Sequence, residues 1–350
     1  MNNNHTDFLN PAFGYRFNDL FDSFKLKQLA EDFDKYFESK DKFKFDAFVK
    51  YRTSKAEGMS PQDISSTLID ASLVLSDFIV ELFNLQDYQK KFADKKNYEK
   101  DILDFNKEII QKKVLKKFKQ QDLENMNWQR LNDFAKMIRK EFYSEEDFKR
   151  DEEKYTASMM LKLADVEKHL KWFYEGDKFA PEGFTIPEES MLITEKTIAL
   201  IKSAGLSEDG EEPEHSELVK LRLILDELFK WLYAKKYYDR NTENWISYFD
   251  PEKLDYSHLV KMDETGGMKH APEGKLVHRS GFKLTDPRMD NRHVAQQANY
   301  CMFCHDRDKD SCTKGYKDKT GNIKKNPLGI SLNGCPLDEK ISEMQYVRNE

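Results

Sequence analysis

From Gln62 to Glu175 the chain contains neither glycine nor proline. These residues punctuate secondary structure, so a run this long without them points to helices joined by short links. The apolar spacing agrees. A first helix is expected from about Asn18 to Glu38, with Leu20, Phe21, Phe24, Leu29, Phe33 and Phe37 on one stripe. Pro61 after Ser60 reads as the first turn and N-cap of a second. Its stripe is Ile64, Leu68, Leu75, Phe78, Ile79 and Leu82. Three more stripes follow: Ile102, Phe105, Ile109 and Ile110; then Trp128, Leu131, Phe134, Met137 and Ile138; then Met159, Leu163, Val166, Leu170 and Phe173.

GDKFAPEGFTIP (176–187) breaks this run, and a short helix is expected from Glu188 to Ser203. An acidic linker, GLSEDGEEPEHSE, leads into a helix starting near Ser216. There Leu218, Leu221, Leu225, Leu228 and Leu232 alternate three and four apart. That seam is too short for an intermolecular coiled coil and suits an internal bundle helix. The abundant aromatic residues fall at helical spacings, as core residues do.

The composition supports a folded chain. Of 350 residues 39% are hydrophobic and 35% charged, enough for a real core under a highly charged surface. A net charge of −7 gives no global drive toward nucleic acid. Lys112, Lys113, Lys116, Lys117 and Lys119 form one basic cluster, read as a solvated helix face because acidic residues flank it. No apolar run is long enough to span a bilayer, and MNNNHTDF lacks the features of a signal peptide. A cytoplasmic location is the expectation, with partners that are neither nucleic acid nor membrane.

The character changes near Met262. Eight of the fourteen glycines lie between Gly266 and Gly334. DETGGMKHAPEG reads as a loop or hinge, Val277 to Leu284 as a short strand, and DPRMDNRHVAQQANY as a short helix. The expected organisation is mainly α. A multi-helix bundle spans 1–262 and a linker 263–275. A small, loop-rich α-helical domain spans 276–350.

That last domain holds all four cysteines: Cys301, Cys304, Cys312 and Cys335. Two residues separate the first pair, seven precede the third, and twenty-two precede the fourth, which Pro336 follows. Thiolates are soft ligands for zinc or iron–sulfur clusters. A zinc ribbon also begins with C-x-x-C but usually repeats that knuckle, and Cys312 and Cys335 form no second one. Cys335-Pro336 resembles the Cys-Pro that closes ferredoxin-type runs. Pro336 is expected to open a helix, LDEKISEMQYV, with Leu337, Ile341 and Met344 on one face and its positive end toward the sulfur site. His305, directly after Cys304, is a candidate zinc ligand or a hydrogen-bond donor to sulfur; His278 and His293 lie nearby in sequence.

QANYCMFCHDRDKDSC followed by NPLGISLNGCPLDEKISEM resembles the N-terminal cluster-binding segment of the glutamate synthase small-subunit family. Those proteins are FAD-dependent pyridine-nucleotide oxidoreductases. The specific match covers about the last 75 residues, and the helical part matches loosely. The resemblance implies two 4Fe–4S clusters. Cys301, Cys304 and Cys312 would serve one and Cys335 the other, with further ligands downstream. It also implies single-electron transfer between a flavin and a second redox site. FAD and NAD(P)H would bind a following Rossmann-type domain or a flavoprotein subunit acting in trans. The end in YVRNE suits the N-terminal portion of a longer oxidoreductase. Two departures from the family pattern stand out: a longer Cys304–Cys312 gap and a Gly/Lys-rich insertion before Cys335. The chain contains no G-x-G-x-x-G, P-loop, G-x-S-x-G or H-E-x-x-H, so no complete active site is expected within it. The alternative is a zinc-stabilised helical interaction protein without redox activity.

Overall fold

The computed structural model describes residues 11–203, 216–249, 254–260, 262–272, 278–284, 288–299, 301, 304 and 310–349. The chain is mainly α-helical, as its periodicity implies. It divides into two compact units, each discontinuous in sequence. One contains residues 1–94, 254–285 and 300–350; the other contains 95–253 and 286–299. This is cut differently from the 1–262 and 276–350 division expected from composition. Composition reports the loop content of a segment, whereas a unit is defined by which surfaces bury one another.

The first unit begins with α1 (Ser23–Lys40), α2 (Lys42–Ser54) and α3 (Pro61–Leu82). A 3₁₀ turn at Phe17–Phe21 precedes α1, so the helix starts later than expected. The reason is local: the Asp22 carboxylate accepts the Phe24 and Lys25 N–H groups at 2.9 and 3.0 Å and caps the helix there. Phe37 is fully buried, with Phe33, Phe45 and Phe48 within 6 Å of its ring centre. Phe21 and Phe24, placed on the core stripe by spacing, are instead exposed, as are Leu75 and Ile79 of α3. Three helices cannot bury a wide stripe on every member. Helix α2 is separated from α1 by Asp41 alone and is not among the helices expected from the apolar spacing. Ser60 caps α3 as expected, accepting the Asp63 N–H at 3.1 Å.

Helix α4 (Gln86–Asp104) runs on through a π-helical stretch, Phe105–Val114, into the short α5 (Leu115–Lys117). Two buried pairs in that stretch, Phe105 with Ile110 and Ile109 with Val114, stand five residues apart. A π-turn, with its i→i+5 bonds, lets five-apart residues share one face.

The core of the second unit is built from this stretch with α6 (Trp128–Arg139), α7 (Glu145–Arg150), α8 (Glu152–Tyr174), α9 (Glu188–Ser203) and α10 (Ser216–Tyr238). Every leucine of the expected α10 seam is buried, and so are Ile224, Trp231 and Ala234 on its other sides. Helix α10 is the internal bundle helix that the seam implied. Burial of about 2 kcal/mol per large apolar side chain makes it the main contributor to that core.

The glycine-rich region departs from expectation in two places. DETGGM, read as a hinge, forms a hairpin of β1 (Asp263–Thr265) and β2 (Met268–His270). Gly266 and Gly267 both take positive φ, 62° and 80°, as a two-residue hairpin turn requires. The strand expected at 277–284 is absent among its described residues, where a turn holds Gly281 and Phe282. The short helix before the cysteines is α11 (Asn291–Ala298), capped by Asp290. No helix among the described residues is long and apolar enough to cross a membrane.

Candidate metal centre

Cys312 lies on a single helical turn, α12 (Ser311–Lys314). Asp310 caps that turn, accepting the Thr313 N–H at 3.1 Å, and also accepts the Ser342 hydroxyl at 2.7 Å. The Thr313 hydroxyl donates to the Glu339 carbonyl at 2.9 Å. Lys314 pairs with Asp338 at 3.0 Å. The segment after Cys335 is thus tied back onto the turn that carries Cys312.

The tightest link is backbone to backbone. The Cys335 N–H donates to the Cys312 carbonyl at 2.9 Å. Two glycines make this approach possible. A Cβ on Gly334 would stand 2.0 Å from the Thr313 carbonyl oxygen, and one on Gly315 would stand 3.0 Å from the Gly334 nitrogen. Only glycine fits such a backbone crossing. The twenty-two residues between these cysteines therefore form a closed excursion, and its neck sets Cys335 beside Cys312.

Cys301 and Cys304 are half-buried, and Cys312 is exposed. None of the four is in a disulfide. Partial desolvation, then the Cys301 and Cys304 thiolates and Asp310, push the Cys312 thiol above its ordinary pKa. Cys301 and Cys304 thus bear electrostatically on the Cys312 thiol, and Cys335 is tied to Cys312 through the backbone. Thiolates are soft donors, so the chemistry of these side chains would suit iron or zinc. Among the described residues, however, no three His, Cys, Asp or Glu side chains are arranged as a formed metal site.

Several expectations change here. Pro336 does not open a helix. It takes the second position of a turn closed by the Asp338 N–H on the Cys335 carbonyl at 3.2 Å, where its fixed φ is favourable. Helix α13 begins later, at Ile341, and runs to Asn349. Its face toward α3 carries buried Ser342 and Glu343, while Leu337 and Met344 are exposed. The six-residue offset from Cys335 also removes the helix end from the place expected for it. His278 and His293 have local partners, the Arg279 carbonyl and the Asp290 carboxylate, and His305 lies outside the described residues. In the lysine cluster, Lys112 pairs with Glu108 and Lys117 with Asp226, in keeping with a solvated face.

One charged centre had no signal in the sequence pattern. Arg292 of α11 is held by Glu99 at 2.7 Å, by Glu153 at 3.2 Å and by Asp151. Burial opposes its charge, but the Asp151 and Glu99 hydrogen bonds outweigh that and raise its pKa. Burial also raises the Glu153 carboxyl, against the Ser247 N–H that Glu153 accepts at 2.7 Å. These partners lie up to 193 residues apart, so no local spacing could disclose them.

The architecture so defined is a mainly helical protein carrying a clustered-cysteine segment. Residues 11–84, spanning α1 to α3, match the model of the RP005 N-terminal alpha-helical domain. The chain is also similar to the uncharacterized protein RP005 of Rickettsia prowazekii (strain Madrid E). That similarity is 24% identity over 350 residues, covering 96% of this chain and 97% of the relative. No solved structure matches the chain.

Proposed function

We propose that the protein is an iron–sulfur electron-transfer module of a flavin-dependent NAD(P)H oxidoreductase resembling the glutamate synthase small subunit. The observation that carries this reading is the arrangement around Cys312. The Cys335 N–H donates to the Cys312 carbonyl at 2.9 Å, which sets the Cys335-Pro336 dipeptide against Cys312, and Cys301 and Cys304 bear electrostatically on the Cys312 thiol. In a ferredoxin-type run only a few residues separate the third cysteine from the Cys-Pro cysteine, and the latter ligates the other cluster. Here a closed excursion intervenes, yet its neck restores the short-run proximity. Cys301, Cys304 and Cys312 would hold one 4Fe–4S cluster and Cys335 would contribute to a second. Bound clusters supply reversible one-electron chemistry; hydride chemistry belongs to FAD and NAD(P)H on a flavoprotein domain or partner.

Anaerobic purification with iron and sulfide analysis tests this. A brown protein absorbing near about 400 nm supports the reading. A colourless protein holding about one zinc per chain overturns it in favour of a zinc-stabilised interaction protein. Air-stable occupancy at about four irons per chain from all four cysteines would retain the redox role and sink the two-cluster assignment.

A further inference from the structure

Between the end of α6 and the start of α8 the second unit is hollowed into a cleft of about 640 Å³. Small-molecule sites run from about 300 to 1,000 Å³. Its walls are aromatic: Tyr143 from the link between α6 and α7, Phe148 from α7, and Trp245 from the turn after α10. Phe148 and Trp245 are buried, so the core beneath fixes them. Tyr143 is wedged against Phe148 and Tyr155, with ring centres 6.1 and 4.9 Å away. Every one of these residues belongs to the second unit.

Arg139 lines the cleft with donors unused. Its side chain is 13% exposed, and its guanidinium lies over the Phe148 ring at 3.8 Å. Among the described residues it makes one hydrogen bond, to Glu152 Oε1 at 2.8 Å. A guanidinium carries five N–H donors. The same oxygen also accepts from Lys235, 2% exposed, at 3.1 Å. One carboxylate oxygen thus serves two buried cations. Lys235 has Asp239 as a second partner; Arg139 has none among the described residues. Burial outweighs the attraction of Glu152 and lowers the Arg139 pKa, so the charge there is under-compensated. Lys136, Lys140 and Lys149 stand exposed at the mouth, with Glu145 the one carboxylate among them. The Asn241 side-chain amide also lines the cleft and makes no hydrogen bond among the described residues.

We propose that this cleft binds a nucleoside monophosphate, with the phosphate on Arg139 and the lysines at the mouth and the base against the aromatic walls. The planar fork of arginine matches two phosphate oxygens at once, and the phosphate supplies the counter-charge that Arg139 lacks. The Asn241 amide, a donor and an acceptor together, suits the polar edge of a base. Each half of the ligand answers a different feature. Free phosphate would leave the aromatic walls uncovered, and an uncharged nucleoside would leave Arg139 uncompensated. A single strand of nucleic acid needs a charged groove that tracks its backbone past successive stacking rings, which a closed-ended cleft in a chain of net charge −7 does not offer. The site is one of binding, with no bond made or broken. It shares no residue with the cysteine segment, so it stands apart from the electron-transfer reading.

The test titrates the full chain calorimetrically with adenosine, guanosine, cytidine and uridine 5′-monophosphates, and separately with adenosine and inorganic phosphate. At least one nucleotide should bind saturably, about tenfold or more tighter than either adenosine or phosphate. Two variants probe the charge. Arg139→Lys keeps a cation for Glu152 but loses the fork; K136Q/K140Q/K149Q neutralises the exposed mouth and leaves the core alone. Each should weaken nucleotide binding about tenfold with circular dichroism unchanged. Trp245 reports the location. The chain has four tryptophans, and a nucleotide-dependent change in their fluorescence should vanish in Trp245→Phe while calorimetric binding is retained. No saturable binding of any of the four nucleotides up to about 10 mM overturns the proposal. So does binding that the K136Q/K140Q/K149Q variant retains in full, or a fluorescence change that survives in Trp245→Phe. Inorganic phosphate binding as tightly as the nucleotides, or polyuridylate binding more tightly than uridine monophosphate, overturns it too.

Discussion

Ser65 on α3 donates a 2.7 Å hydrogen bond to Glu343 on α13, joining residues 278 positions apart at the buried contact between the first helices and the end of the chain. The second carboxylate oxygen of Glu343, Oε2, is buried without a hydrogen-bond partner. Ser65→Ala would leave this carboxylate less satisfied still. We expect a loss of about 1–3 kcal/mol in urea unfolding. Unchanged stability would show that the bond is incidental to the packing of α13.

The neck of the Cys312–Cys335 excursion gives a sharper expectation. Gly334→Ala places a methyl group 2.0 Å from the Thr313 carbonyl oxygen, a contact that only backbone movement can relieve. Overpacking of this kind costs about 1–3 kcal/mol. Amide hydrogen exchange at Cys335 and Tyr316 should accelerate in this variant, while exchange in α10 stays slow. Gly321→Ala is the control. Nothing lies within 4 Å of its added Cβ, so only the strain of its 87° φ remains.

Arg292 neutralises a cluster of carboxylates, and Arg292→Met should destabilise the second unit by about 3–5 kcal/mol. The pH response follows from the signs. Hydrogen bonds from Arg292, the Lys154 N–H and Tyr98 outweigh burial and lower the Asp151 pKa, so its contribution is present above the unfolded pKa and fades as pH falls. The Glu153 pKa is raised, so its charge costs stability at neutral pH and the cost disappears on acidification. Glu153→Gln should therefore stabilise the protein at pH near about 7, with the gain shrinking as pH drops through the carboxylate range. Urea midpoints across that range would refute this if the gain grew on acidification.

The core of the second unit contains no cysteine, so its helices should not depend on the cysteine segment. In the C301S/C304S variant any metal that the proposed site holds should be lost while most far-ultraviolet circular dichroism persists, because α6, α8 and α10 bury their own apolar faces. Global unfolding of this variant would instead make the cysteine segment a condition for folding the whole chain.

What the sequence by itself determined is helix content and the main buried stripes. Leu218 to Leu232 and Met159 to Leu170 reach the core at the positions that period 3.6 assigns, because local spacing sets which side chains share a face. The C-x-x-C pair and the Cys-Pro dipeptide can be read from the sequence because they are matters of residue type and short spacing alone. Only the tertiary structure decided which faces find partners. It left Phe21 and Phe24 in solvent, seated α13 on α3 through Ser65 and Glu343, and gathered Glu99, Asp151 and Glu153 around Arg292. It also folded the Gly/Lys-rich insertion back so that Cys335 meets Cys312. Each of these depends on contacts between residues distant in the chain, whose pairing is set by packing and charge satisfaction and leaves no periodic trace along the sequence.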